Sequence, residues 1–140
     1  MARVRGIGGV FLKSRDERKL REWYSTWLGI RMGAAGVTFK PTSMPRGAVT
    51  VLGIFPSSTR YFLPSRSAVM VNFVVDDIEA MLRRAAEGGG RVVGKIREYP
   101  YGRFAWFLDP DHNKVELWQP PAPKPRVRHS RERASRRTAR

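Results

Sequence analysis

At 140 residues and 41% hydrophobic, the chain is long enough for one packed domain. No run approaches the ~18 uninterrupted apolar residues of a membrane helix, so no membrane association is expected. The absence of cysteine excludes disulfides, thiolate chemistry and cysteine-held metals, and agrees with a reducing cytoplasm, the localisation expected here. The net charge of +15 divides into +8 over residues 1–120 and +7 over residues 121–140, so the excess is concentrated at the end.

In chain order, the N-terminal stretch MARVRGIGGVFLKSRD carries basic residues and a short apolar run that alternates as a strand, and does not read as a signal peptide. The strand RVRGIGGVFLKS leads into a helix, RDERKLREWYSTWLGI. Ser14 or Asp16 can cap it, Leu20, Trp23, Trp27 and Leu28 form its apolar stripe, and Gly29 stops it. Strand-like pieces follow at GVTFK and GAVTVLGIF, with Pro41, Pro45 and Pro56 marking loops.

SAVMVNFVV then reads as a strand, Asp76 or Asp77 caps the helix DIEAMLRRAAE, and Gly88-Gly89-Gly90 ends it. RVVGKIRE, GRFAWFLD and NKVELWQP read as strands, the last two joined by the turn DPDHN, where His112 occupies a position that can need a positive φ. Both halves run strand, capped helix, glycine stop, three strands. A slide of 61 residues sets Gly9 on Met70 and Asp16 on Asp77, the signature of a duplicated βαβββ unit. The expected class is α+β, with one domain over residues 1–120, modules at about 1–62 and 63–120. Beyond it, residues 121–140 form a basic tail of eight Lys/Arg and one Glu that cannot bury a core alone and is expected to be disordered. Such a tail binds nucleic acid or an acidic partner nonspecifically, or is simply solvated.

GGVFLKSRDERKLREWYSTWLGI, MVNFVVDDIEAMLRRAAEGGG and YGRFAWFLDPDHNKVELWQP resemble the vicinal oxygen chelate superfamily, the group of glyoxalase I, fosfomycin and bleomycin resistance proteins and extradiol dioxygenases. The resemblance covers residues 4–120, and DPDHNKVEL followed by Trp118 is its most specific part. It implies paired βαβββ modules curled into an incomplete eight-stranded barrel around a cleft, and a homodimer. It also implies a divalent metal held on inward strand faces, with Glu116 at the last ligand position, Gly9 and Met70 at the first-strand positions, and the remaining ligand near Thr50 to Leu52.

Glycine has no side chain to offer and a thioether is a poor partner for a hard metal beside one carboxylate. Independently of any alignment, residues 23–75 contain no Asp, Glu or His, and the chain's two histidines are His112 in a turn and His129 in the tail. A catalytic metal needs about three protein ligands. No metal and no cofactor are therefore expected, which disfavours metal-dependent lyase or dioxygenase activity and leaves enzyme status open.

Strand alternation sets Lys114, Glu116 and Trp118 on one face and Val115 and Leu117 on the other. With the apolar face under the helices, Glu116 looks into the cleft with Gly9, Phe11, Met70, Asn72 and Val74. That is an apolar pocket with two polar handles, suited to a small molecule. Glu116 is then a candidate acid/base, or else one half of a salt bridge with Arg103, Arg97 or Lys114. Tyr99, Tyr101 and Arg103 are expected at the cleft mouth as a clamp for a planar or anionic ligand. The candidate ligand-binding set is thus Phe11, Met70, Asn72, Tyr101, Arg103 and Trp118. Three functions follow in order: a binding protein for a small anionic or aromatic ligand, a metal-free lyase or isomerase using Glu116, and a basic interaction module acting through the tail.

Overall fold

The computed structural model describes residue 7 and residues 9–125, so the start of the first expected strand and residues 126–140 of the expected tail lie outside the described residues. Helix α1 spans Glu17–Leu28. Asp16 rather than Ser14 caps it, its carboxylate accepting the Lys19 N–H at 3.0 Å, and Gly29 ends it in the left-handed conformation at φ 68°. Strand β1 is Val71–Val74 and helix α2 is Ile78–Glu87, capped by Asp77, which accepts the Ala80 N–H at 3.0 Å. The expected single strand over RVVGKIRE is two short pieces, β2 (Arg91–Val92) and β3 (Arg97–Tyr99), separated where Gly94 adopts φ 71°. Strands β4 (Gly102–Leu108) and β5 (Lys114–Gln119) form the hairpin around DPDHN.

The strands join one sheet in the order β1-β5-β4-β2, with β3 also on β4. β1 runs parallel to β5 and pairs Asn72 with Glu116, while β4 runs antiparallel to β5 and pairs Trp106 with Glu116. Glu116 therefore lies in the central strand with a neighbour on each side. Alternation sends Ala105, Phe107, Val115 and Leu117 to one face, where they are fully buried against Leu20, Trp23, Tyr24, Leu28, Ile78 and Ala85 of the two helices.

Two polar contacts lock this layer. Trp23 donates its indole N–H to the Gly88 carbonyl at 2.7 Å, and the helices approach so closely there that a Cβ on Gly88 would meet the Trp27 ring at 2.4 Å. Tyr24 donates its hydroxyl to Asp109 at 2.8 Å, and Asp109 also accepts the Asp111 and Asn113 N–H groups and the Asn113 amide, each at 2.9 Å. Burial, reinforced by the Asp109 carboxylate, pushes the Tyr24 phenol well above its ordinary value. His112 takes φ 61°, as the turn requires.

The first half departs from expectation. It supplies α1, but its strand-like segments GVTFK and GAVTVLGIF carry no ladder, and among the described residues the sheet has five strands. Strand alternation by itself does not make a strand, because every N–H and C=O needs a partner at about 4.8 Å. Their apolar side chains are left outside the core, with Phe39 60% and Ile54 92% exposed.

Candidate functional site

The sheet face away from the helices carries Lys114, Glu116 and Trp118 of β5 beside Phe104 and Trp106 of β4 and Asn72 of β1, a set fixed by register. The Glu116 carboxylate is nearly buried and surrounded by donors. Asn72 Nδ2 donates to Oε1 at 2.7 Å, Trp106 Nε1 donates to Oε2 at 2.7 Å, and the Tyr61 hydroxyl donates to Oε2. Hydrogen bonds rather than a cation satisfy it. Among the described residues, none of the ion pairs within 4.0 Å involves Glu116, so the salt-bridge alternative with Arg103, Arg97 or Lys114 does not describe this site. Lys114 donates to the Tyr61 carbonyl at 2.6 Å and sits 5.3 Å from the Tyr61 ring centroid and 5.8 Å from that of Trp106. Desolvation lowers its pKa, partly countered by the charge of Glu116. Burial and the bond to Glu116 push the Tyr61 phenol up, so it remains a neutral donor.

Around this carboxylate runs a row of rings. Trp118 stacks on Phe104 at 6.3 Å and Phe104 on Trp106 at 6.5 Å, both within 20° of parallel, and Tyr61 meets Trp106 edge-on at 6.2 Å. Phe55 stacks on Tyr61 at one end, and Tyr99 and Tyr101 stack on each other beside Phe104 at the other. Gly102 makes the near end possible. At φ 131°, a Cβ there would lie 2.4 Å from the Trp118 indole nitrogen, which instead donates to the Tyr101 carbonyl at 2.9 Å.

Of the residues expected from sequence, the structure brings Glu116, Asn72 and Trp118 onto one face, with Tyr101 at its edge. Two of the expected residues are not brought to this face. Phe11 is 93% exposed, on a segment that joins no strand among the described residues. Arg103 belongs to the opposite face, because it alternates with Ala105 and Phe107. There it donates from Nη1 to Glu79 of α2 at 3.0 Å and from Nη2 to the other Glu79 oxygen, with Glu98 3.1 Å from Nε. The expected Tyr-Tyr-Arg clamp is therefore split by the sheet. Met70 is half-buried just before β1 and takes no part in the hydrogen bonds around Glu116. Phe104 and Trp106 were recoverable from the alternation of GRFAWFLD. Tyr61 was not, since it comes from turns with no period.

The bidentate contact with Arg103 holds the Glu79 carboxyl below the usual carboxylate range. Because the folded-state value is the depressed one, the contribution is present at neutral pH and is lost as pH falls through that value. NMR titration should find Glu79 depressed and show it return toward the ordinary range in Arg103→Ala and in high salt, since the pair is on the surface. A Glu79 value indifferent to Arg103→Ala would contradict this.

Among the described residues, no group of three or more His, Cys, Asp or Glu could hold a metal ion, and no helix is long and apolar enough to cross a membrane. No curated protein matches the chain. Solved structures do. A hypothetical protein from S. aureus is 23% identical with a TM-score of 0.34, over 38% of this chain, which spans 43% of that protein's length. TioX from Micromonospora sp. ML1 is 14% identical with a TM-score of 0.48, over 81% of this chain and 94% of its own. TnmS3, an antibiotic binding protein from Streptomyces sp. CB03234, is 28% identical with a TM-score of 0.45, over 76% of this chain and 88% of its own. The model of the Glyoxalase/Bleomycin resistance protein/Dioxygenase superfamily matches residues 6–117, the whole of the sheet apart from the end of β5, with both helices. The chain belongs to that superfamily.

Proposed function

We propose that this protein binds a small planar aromatic molecule on the sheet face around Glu116, without a metal. The observation that carries the reading is the row Trp118, Phe104, Trp106 and Tyr61, continuous across two strands and flanking a single carboxylate. Flat rings in sequence offer stacking area at low conformational cost. The chemistry of the donor set argues against a divalent ion at Glu116. Its oxygens face an indole N–H, an amide NH₂ and a phenol, all donors, and Lys114 stands nearby. The residue at the family's first-strand position, Gly9, has no side chain to add. The same saturation leaves Glu116 little freedom to act as a general base, which favours binding over isomerase or lyase chemistry. Similarity to TnmS3, an antibiotic binding protein, is compatible with this reading.

The test is tryptophan fluorescence titrated with naphthalene-sized aromatics, alongside a thermal-shift scan of divalent ions. Saturable quenching is expected, weakened about 2- to 10-fold in Trp118→Ala, the equivalent of one aromatic contact, with no stabilisation by metal. A stoichiometric metal lost in Glu116→Ala would sink the metal-free reading.

In the same reading, a second copy of the chain completes the two-module barrel. Val51, Leu52 and Ile54, 75%, 76% and 92% exposed, lie on a segment whose backbone has no ladder partner among the described residues. Sedimentation equilibrium should give a homodimer, shifted to monomer by Ile54→Glu. A parent chain that stays monomeric at high concentration would remove this part of the proposal.

A further inference from the structure

The subsite over Glu116 is already filled by a side chain whose chemistry describes what else would fit. Tyr61 comes from a run of turns between the first half and β1, closed by bonds from Thr59 to Pro56, Leu63 to Arg60 and Ser65 to Phe62 at 3.0–3.1 Å, with no helix or strand holding it. Its hydroxyl reaches Glu116 Oε2, which also accepts from Trp106, and its ring lies between the stacked Phe55, the edge of Trp106 and the Lys114 ammonium. Tyr61 nevertheless remains 38% exposed, so it covers the carboxylate without being locked in the core.

We infer that this subsite binds the hydroxyl of a phenol-type ligand, a neutral hydroxyarene, and that Tyr61 is an internal stand-in which such a ligand displaces. The inference rests on the aromatic face being the binding surface and names the ligand class it takes. Each contact discriminates. Glu116 accepts a hydroxyl hydrogen but repels a ligand carboxylate at the same point. The Lys114 ammonium favours the face of an electron-rich ring and opposes a ligand cation. A hydrocarbon of the same shape would leave the carboxylate without its O–H donor inside a nearly buried site. The row Trp106, Phe104 and Trp118 then extends from this anchor and accommodates further fused rings. A tethered phenol competes at high effective concentration, so the apparent affinity of the parent chain is reduced by the fraction of time Tyr61 occupies the site.

The experiment compares p-cresol, which is the tyrosine side chain cut free, with toluene on the parent chain and on Tyr61→Gly, by calorimetry and thermal shift. Tyr61→Gly should bind p-cresol about 10-fold or more tightly than toluene, the difference a hydrogen bond to a charged acceptor makes, and more tightly than the parent binds it. Should Tyr61→Gly fail to fold, Tyr61→Phe carries the test, because its ring preserves the packing of the free chain yet is displaced without breaking a bond to Glu116. It should then bind 2-naphthol more tightly than the parent does, while naphthalene binds the two chains alike. Equal affinity for p-cresol and toluene in Tyr61→Gly, or equal 2-naphthol affinity in parent and Tyr61→Phe, overturns the inference. If naphthalene still quenches tryptophan fluorescence in that case, the aromatic-face reading stands and only the phenol subsite falls. If no aromatic binds any variant, both fall.

Discussion

Replacing Phe107 by alanine is expected to remove about 3–5 kcal/mol of stability, the cost of a large ring deleted from a filled core. Phe107 is fully buried, tilted against Trp23 at 5.9 Å and flanked by Val115 and Ala105 on the helix side of the sheet. A domain this size has only about 5–15 kcal/mol in total, so the variant should lose a large share of its stability and unfold at a clearly lower urea concentration. Phe104→Ala, three residues away on the same strand, should cost about 1–2 kcal/mol, because its ring is half-buried on the open face and leaves little cavity. Urea denaturation of the two variants checks this, and equal losses would mean that both faces of the sheet are core.

Glu116→Ala is the second large effect, expected at about 2 kcal/mol together with loss of hydroxyarene binding. The carboxylate accepts from Tyr61, Asn72 and Trp106. Asn72 and Tyr61 are exposed enough to turn to water, whereas the half-buried Trp106 indole N–H has no such freedom, and it accounts for most of the loss. Glu116→Gln should cost about 1 kcal/mol, since its amide keeps one acceptor and points a donor at another donor. It should still bind hydroxyarenes more weakly than the parent. Glu116→Ala as stable as the parent by urea midpoint would show that the hydrogen-bond cluster is incidental.

Local chemistry was enough for the sequence to determine both helices with their caps narrowed to Ser14 or Asp16 and to Asp76 or Asp77, the turn at DPDHN and the division of β5 into an apolar face and a face carrying Glu116. A capping carboxylate, a left-handed glycine or a period of two acts over a few residues and needs no distant partner. That residues 23–75 contain no Asp, Glu or His is also read from the chain alone, and it is the ground for expecting no metal site of the family's kind.

Pairing had to be decided by tertiary structure. GVTFK and GAVTVLGIF have the alternation of strands and form none among the described residues, because a ladder depends on a partner that the segment does not encode. Arg103 looked like a cleft residue from its loop, yet strand parity and the carboxylates of Glu79 and Glu98 hold it on the helix side. Tyr61, 55 residues from Glu116, reaches it from a run of turns with no periodicity. What a glutamate in an apolar strand is for was therefore legible only as a question in the sequence. Its answer lies in three donors brought from β1, β4 and an irregular segment, whose proximity depends on the register of the sheet.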